Sequence, residues 1–444
     1  KVDKCFKCEF TQKKWITNRM MTWMTQPNLS MTIAGIKHDP AIWIGAGPCT
    51  ARLSTMKRCI KAGAGAVDTK RTALPGLERT RQGSHTRPIR KPGRTQSPYR
   101  WLYVQNTRTS SKFGYTGPLF YSLQHCEPNF LHFDTAQNLI SGMKAWRSDV
   151  PVYQNSCASK YMPGDNVDDW IKIGRAGQES GADAYVMDFW VSGHSPMDSN
   201  VDKWANRIFK PVVEALDIPV FYKMLPSFDY NHIRELCKAL EKAGVQALQP
   251  TEGPVLLPPC DIENEGKPVF KITEKHSART LVCGPWLKWI ANTMVYLASE
   301  SVKIPVMGIG GIMDARDAIE RIMYGASAIG LCTAPLIKGY RVIQEIKDGI
   351  AKFMKDHHYD SIEDFRGIAK KHVVWDMYTE MELVPCAPDI NPSLCDGCGI
   401  CVLPVHCDAM RVEDGVAVCE VDECTGCGVC AQLCPQKAIK IKEQ

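Results

Sequence analysis

The chain has 444 residues, 44% of them apolar and 23% charged, the make-up of an ordinary globular protein with room for a barrel of about 250 residues and an appendage. Its formal charge, 54 basic against 48 acidic residues, is +6, too mild by itself to point to nucleic acid. No apolar run approaches the ~18 residues of a membrane span, and 20 cysteines without a secretory pattern weigh against a disulfide scaffold and towards metal or redox use.

Residues 1–29 read as an N-terminal extension. It opens at Lys1 rather than Met, which leaves room for a missing or processed start, and a cytoplasmic location is expected. "KCFKC" (Cys5, Cys8) supplies only half a metal site; a disordered end is expected there, with a site shared with a partner as the alternative. From about 30 to 357 short apolar strands alternate with amphipathic helices. The strands are "AIWIGAG", "GAVDTK", "PVYQNSC", "AYVMDFW", "PVFYKML", "QALQPT", "PVMGIGG" and "AIGLCT". Stretches such as "NHIRELCKALEKAG" and "DARDAIERIMYG" are helical in period and end at glycine. Eight strands with helices between them predict parallel pairing and a closed (β/α)8 TIM barrel. An open doubly wound sheet is the rival, but "GAGPCT" after the first strand only weakly matches a dinucleotide fingerprint.

Between strands two and three, "RTRQGSHTRPIRKPGRTQSPYR" (79–100) carries seven Lys or Arg and no acid. A solvated loop is expected. A groove for an acidic electron-transfer partner or an anionic substrate comes second and nucleic acid third, since Tyr99 is its only aromatic residue. Strand seven ends in "GIGGI" (308–312) and strand eight in "GLCTA" (330–334). Barrels hold phosphate with the loops after these two strands, where backbone N–H groups approach an anion closely. A phosphate-bearing cofactor is expected there.

Residues 358–385 read as a linker and 386–444 as a second, small α+β domain. "CDGCGICVLPVHC" places Cys395, Cys398, Cys401 and Cys407; "CTGCGVCAQLCP" places Cys424, Cys427, Cys430 and Cys434. A short alternating segment follows each run, so the tail is an internal repeat. Zinc prefers paired CxxC knuckles; three cysteines at two-residue spacing, then a fourth, fit [4Fe-4S] clusters. In the bacterial two-cluster ferredoxin arrangement the fourth cysteine of each run ligates the other cluster. That predicts Cys395, Cys398, Cys401 and Cys434 on one cluster and Cys424, Cys427, Cys430 and Cys407 on the other. The other twelve cysteines, Cys59 and Cys237 among them, are expected to be mostly buried thiols. An iron-sulfur tail makes a flavin the natural phosphate-bearing partner, since FMN takes a hydride equivalent and releases single electrons.

The segments "MTIAGIKHDPAIWIGAGPCT", "DTK", "ESGADAY", "IPVFYKMLP", "IPVMGIGGIMDARDA" and "GASAIGLCTA" resemble the FMN barrel of the dihydroorotate and dihydropyrimidine dehydrogenases. The barrel followed by a two-cluster tail, joined by "YDSIEDFRGIAKKH", is similar to the dihydropyrimidine dehydrogenase branch. The resemblance implies that Gly45 and Ala46 lie beside the isoalloxazine and that Lys70 and Lys223 hold the ring and ribityl oxygens. It places Thr251 near the flavin and puts Gly284, Gly310, Gly311, Cys332 and Thr333 around the phosphate.

The substrate half departs from that family. After strand four the family has an asparagine and then a cysteine; "DFWVSGHSPM" has Asp188 and Val191 there. Gln124, in "FYSLQHCEP", and Glu252, in "PTEGP", stand where the family has asparagines. Ser192, His194, Ser195, His125 and Cys126 lie on the same loops, and His194 is expected to be the general acid/base, with Asp188 or Glu252 anchoring the substrate. The expected activity is that of an oxidoreductase acting on the CH–CH bond of a small molecule beside a carbonyl. Its expected electron partner is an NAD(P)H/FAD subunit or a ferredoxin-type protein, in an oligomer, with neither nucleic acid nor membrane involved. The rival is an electron-relay subunit of a larger redox complex without substrate chemistry of its own.

Overall fold

The computed structural model describes residues 27–72, 102–106, 118–122, 133–157, 167–189, 200–224, 226, 229–251, 253–257, 260–268, 280–375 and 383–444. The chain divides into two compact units, one of residues 1–105 and 117–371, the other of 106–116 and 372–444.

Eight parallel strands build the first unit: β1 (Ile42–Ile44), β2 (Ala66–Asp68), β3 (Val152–Ser156), β4 (Ala184–Asp188), β5 (Val220–Lys223), β6 (Ala247–Gln249), β7 (Met307–Ile309) and β8 (Ala328–Leu331). Their order in the sheet is β6-β5-β4-β3-β2-β1-β8-β7. The two edges meet through a parallel bridge, Leu248 to Val306, with Leu248 N–H donating to Pro305 O at 3.0 Å. That contact makes the sheet a barrel rather than the open rival. Every strand residue is buried, as expected where helices cover the outside and side chains fill the inside.

The helices are α1 (Leu53–Lys61), α2 (Phe133–Trp146), α3 (Val167–Glu179), α4 (Val201–Ala215), α5 (Tyr230–Lys242), α6 (Lys288–Ser301), α7 (Ala315–Met323), α8 (Thr333–Lys338) and α9 (Arg341–Asp356). Sequence dictates their faces: α5 buries Ile233, Leu236, Cys237 and Leu240, one stripe at helical spacing. Asp229 caps it by accepting from His232 N–H at 3.0 Å, and Asp314 caps α7 by accepting from Asp317 N–H at 3.1 Å. Of the described cysteines outside the two tail runs, Cys49, Cys59, Cys157 and Cys237 are buried, as expected, whereas Cys283, Cys332, Cys386 and Cys419 are half-buried and Cys260 is exposed. The segment after α9 packs with this unit as far as Lys371: Gly367 N–H reaches Ile322 O at 2.9 Å.

Two excursions decorate the barrel. Leu102–Asn106 and Pro118–Ser122 follow β2; Val255–Leu256 and Thr280–Cys283 follow β6. They join in one four-stranded sheet in which Thr280–Cys283 pairs antiparallel with both Val255–Leu256 and Pro118–Ser122. Sequence periodicity gave no sign of this sheet, whose strands are short and meet across long intervals of chain.

In the second unit Cys386–Ile390 pairs antiparallel with Ile439–Glu443, and Met410–Glu413 forms a hairpin with Val416–Cys419. A short helix, Val429–Leu433, lies between the cysteines of the second run. The core is small: Cys401, Met410, Ala417, Cys430 and Ile439. The basic stretch 79–100 and Cys5 and Cys8 lie outside the described residues.

Candidate active site

A cleft of about 690 Å3 opens in the barrel unit, lined by the ends of β5, β7 and β8 and by the turns after β1, β2, β6 and β7. Its walls include Ala46, Lys70, Lys223, Thr251, Gly284, Gly310, Gly311, Cys332 and Thr333, nine of the ten residues expected at the cofactor. Gly45 stands just behind the wall: a side chain there would begin 2.3 Å from Ile309 Cδ1. The cleft also uses Gly47, Pro48, Cys283 and Leu287. Of these, Gly47 carried a sequence signal in "GAGPCT"; a Cβ on it would sit 2.5 Å from Cys332 Sγ.

The glycine turn after β7 is built for close approach. Gly310 and Gly311 have φ of 102° and 76°, where a side chain is strained. A Cβ on Gly311 would lie 2.3 Å from Lys288 N. Arg321, fully buried on α7, fixes this turn from below. It donates to Ile309 O at 2.9 Å, to Gly310 O at 2.8 Å and to Asn292 Oδ1. With the carbonyls so occupied, the turn has N–H groups to offer an anion. Burial pulls the Arg321 guanidinium down to about 9, against the rise from Glu320 and Asp317.

The floor of the cleft is charged. Asp188 ends β4, fully buried, and its Oδ2 lies 3.2 Å from Lys223 Nζ and 3.2 Å from Arg71 Nε. The expected substrate anchor is therefore held between two cations. Beneath it Asp68, at the end of β2, is enclosed by Trp43, Gln249 and the Ala46 N–H without a well-formed hydrogen bond to either carboxylate oxygen. Burial lifts its carboxyl to about 7, although Lys223 opposes the rise. His38, also fully buried, bonds through Nε2 to the Tyr153 hydroxyl; burial drags its imidazole down to about 3. Glu252, His194, Val191 and Gln124 lie outside the described residues, as do Ser192, Ser195, His125 and Cys126.

Two hollows in the second unit gather the tail cysteines. Cys395, Cys398, Cys401 and Cys434 line one; Cys407, Cys424, Cys427 and Cys430 line the other, whose wall Cys401 also touches. Burial raises the Cys401 thiol, and the neighbours that raise it further are Cys395, Cys398 and Cys434. Cys430 is raised by burial and then by Cys427, Cys424 and Cys407. The fourth cysteine of each run thus sits with the other run. His406 lies 3.6 Å from Cys427 Sγ and holds that thiol below its ordinary value. Among the described residues no three His, Cys, Asp or Glu gather tightly enough to hold a single metal ion.

These residues fit the groups that a flavin barrel and a ferredoxin tail carry. In the barrel the Thr251 hydroxyl, buried on the cleft wall with φ of 89°, has no hydrogen-bond partner among the described residues. Beside it stand two lysines and a glycine cradle that any Cβ would fill. In the tail, the donor set is all thiol.

A closed parallel barrel with a glycine-turn cleft, followed by a unit with two thiol hollows, defines a cofactor-binding barrel fused to an iron-sulfur module. Residues 191–354 match the dihydroorotate dehydrogenase family and residues 420–440 the 4Fe-4S binding domain family. The catalytic subunit of dihydroorotate dehydrogenase B (NAD(+)) from Pyrococcus abyssi is 35% identical over 165 residues, 37% of this chain and 52% of that protein. Its counterpart in Lachnoclostridium phytofermentans is 35% identical over 152 residues, 34% of this chain and 47% of its own. The NAD-dependent dihydropyrimidine dehydrogenase subunit PreA of Escherichia coli K12 is 25% identical over 295 residues, 63% of this chain and 70% of that subunit. The chain spans about half the length of the dihydroorotate dehydrogenases it matches. Its barrel is thus similar to dihydroorotate dehydrogenases and its tail to 4Fe-4S binding domains. Among the described residues no helix is long and apolar enough to cross a membrane.

Proposed function

We propose that the chain is an FMN- and iron-sulfur-dependent oxidoreductase that acts on a C–C bond beside a carbonyl and moves electrons through two [4Fe-4S] clusters. The observation that carries this reading is the convergence of Lys70, Lys223, Thr251, Gly310, Gly311, Cys332 and Thr333 on one cleft. When bound, FMN supplies exchange between two-electron and one-electron chemistry.

The protein's own groups do the rest. Gly310 and Gly311 offer N–H groups to the phosphate, and Thr333 a hydroxyl. Lys70 and Lys223 bring positive charge to the ring and ribityl oxygens. Asp188 fixes Lys223 in place rather than reaching for substrate, which leaves Glu252 as the substrate anchor. His194, on the loop after β4, is the proton donor and acceptor on the far side of the substrate. The crossed foursomes, Cys395, Cys398, Cys401 and Cys434 beside Cys424, Cys427, Cys430 and Cys407, ligate one cluster each. The E. coli relative is named as a subunit of an NAD-dependent enzyme, which supports an NAD(P)H/FAD protein or a ferredoxin as electron partner.

The test is anaerobic mixing of the purified protein with dihydropyrimidines and dihydroorotate while the flavin absorbance is followed. Bleaching by one of them supports the enzyme. Bleaching by an artificial donor alone, with none by these compounds, overturns it and leaves the electron-relay reading.

A further inference from the structure

Asp68 sits where barrels of this size usually pack apolar side chains. Lys223 of β5 and Gln249 of β6, strands that do not adjoin β2 around the sheet, converge on its carboxyl together with Trp43 of the neighbouring β1, so the group points into the barrel. It is 1% exposed. Ala46, whose N–H faces it, and Lys223, whose charge it feels, both line the cleft above. Among the described residues the ionisable groups around it are few. Lys223 faces it from β5 and Tyr153 from β3; His38 stands behind Tyr153; Asp188 and Arg71 lie beyond Lys223; and Lys70 follows two residues along the chain.

We propose that Asp68 is a proton-holding group of the cofactor site, gaining a proton from solvent as the site gains two electrons. This inference rests on the flavin reading. Within the group, Arg71, Lys223 and Lys70 carry three positive charges against the one negative charge of Asp188. With Asp68 protonated, two positive charges are left over. With Asp68 ionised, one is. Electrons arriving in the cleft add negative charge, which disfavours the ionised carboxylate and draws a proton onto it. The balance is simple: the reductant, a dihydro substrate or dithionite, is oxidised by two electrons; the cofactor is reduced and takes its own proton; one further O–H bond forms on Asp68. Linkage works both ways, so the proton on Asp68 favours reduction. The carboxyl's titration point of about 7 puts this exchange within reach of neutral pH. Asp68 acts through Lys223 and the local field, as a positioning residue.

The experiment measures the flavin midpoint potential against pH in the FMN-loaded protein and in Asp68→Asn, with an infrared difference spectrum of each on reduction by dithionite. The expected parent takes up close to one more proton per two electrons than D68N in the range just above neutrality. Its reduction produces a carboxylic-acid carbonyl band that D68N lacks. At high pH the variant's potential lies above the parent's, and on the acid side the two coincide. Equal slopes with FMN bound in both overturn the proposal. If D68N fails to fold, the parent's infrared spectrum decides alone: no acid band on reduction overturns it, and a band that shifts in Asp68→Glu supports it. A parent that binds no flavin at all overturns the flavin reading itself, a result distinguishable because it shows in the extracted cofactor before any titration.

Discussion

Arg321 Nη2 donates to the carbonyl oxygen of Gly310 at 2.8 Å, so a side chain from α7 holds the backbone of the turn that faces the cleft. The same guanidinium also takes Ile309 O, Lys288 O and Asn292, tying β7, α6 and α7 together. Arg321→Met keeps the volume but strands those acceptors. It should cost several kcal/mol of stability, at roughly 1–3 kcal/mol for a buried acceptor left unpaired, and weaken FMN binding by at least ~10-fold. Thermal melts of the flavin-free protein and flavin fluorescence titration separate the two effects.

Gly310→Val tests the cleft more directly. Its Cβ would press on Leu287 Cδ2 at 3.1 Å and Ala291 Cβ at 3.3 Å from a φ of 102°, blocking backbone approach to the phosphate. FMN should be lost while the iron content stays at the parent's level. Full flavin occupancy in this variant would remove the turn from the site, and extraction of FAD rather than FMN would redraw it.

In the tail, about eight irons per chain are expected. Cys434→Ser should damage the cluster shared with Cys395, Cys398 and Cys401, because the thiol lines their hollow. Electron paramagnetic resonance of the reduced variant should retain the signal of the other cluster. Selective loss of that other signal, or zinc in the metal analysis, contradicts the crossed assignment.

Acid stability carries the mark of His38. Its folded value of about 3 lies below the ordinary 6.5, so the folded state refuses a proton that the unfolded chain accepts. The contribution is whole above 6.5 and is lost as pH falls from there towards 3, at up to about 1.4 kcal/mol per pH unit. His38→Gln should flatten this limb of the urea stability profile. An unchanged slope in a folded variant shows that the imidazole takes its proton without unfolding.

His194→Gln should keep both cofactors and leave reduction by an artificial donor unchanged, while substrate turnover falls by ~10²-fold or more. Turnover within a few-fold of the parent places His194 at the surface and strengthens the electron-relay alternative.

What the sequence revealed follows from the range of the interactions. All eight strands were legible, since each is a short apolar run and most are followed by a helical stretch, and the thiol foursomes follow from the spacing within each run and the crossed two-cluster pattern. The glycines expected around a phosphate line the cleft at positive φ, a backbone demand that shows in residue type. Arg321 did not: in "DARDAIERIMYG" it looks like a polar residue on an amphipathic helix, and only the fold brings carbonyls to it. Asp188 suggested a substrate contact because it stands where the resembling family has an asparagine, and nothing local hints that Arg71, 117 residues earlier, would reach it. Asp68 did leave a trace, a carboxylate inside the apolar run "GAVDTK", where burial without a full partner is rare.

The sheet that joins the excursions after β2 and β6 sets a rule for exchanging substrate-side segments between relatives. Cys283 lies on the cleft wall, and its strand is hydrogen-bonded to Pro118–Ser122 in register, Cys283 opposite Phe120. The two insertions, far apart in sequence, therefore behave as one exchangeable part. A chimaera that imports the segment after β6 without the one after β2 leaves Thr280–Cys283 with a row of unpaired N–H and C=O groups along one side. The rim then loses its shape although the turns after β1, β2 and β7 are native. Recoding the substrate preference of such a barrel means transplanting both insertions together.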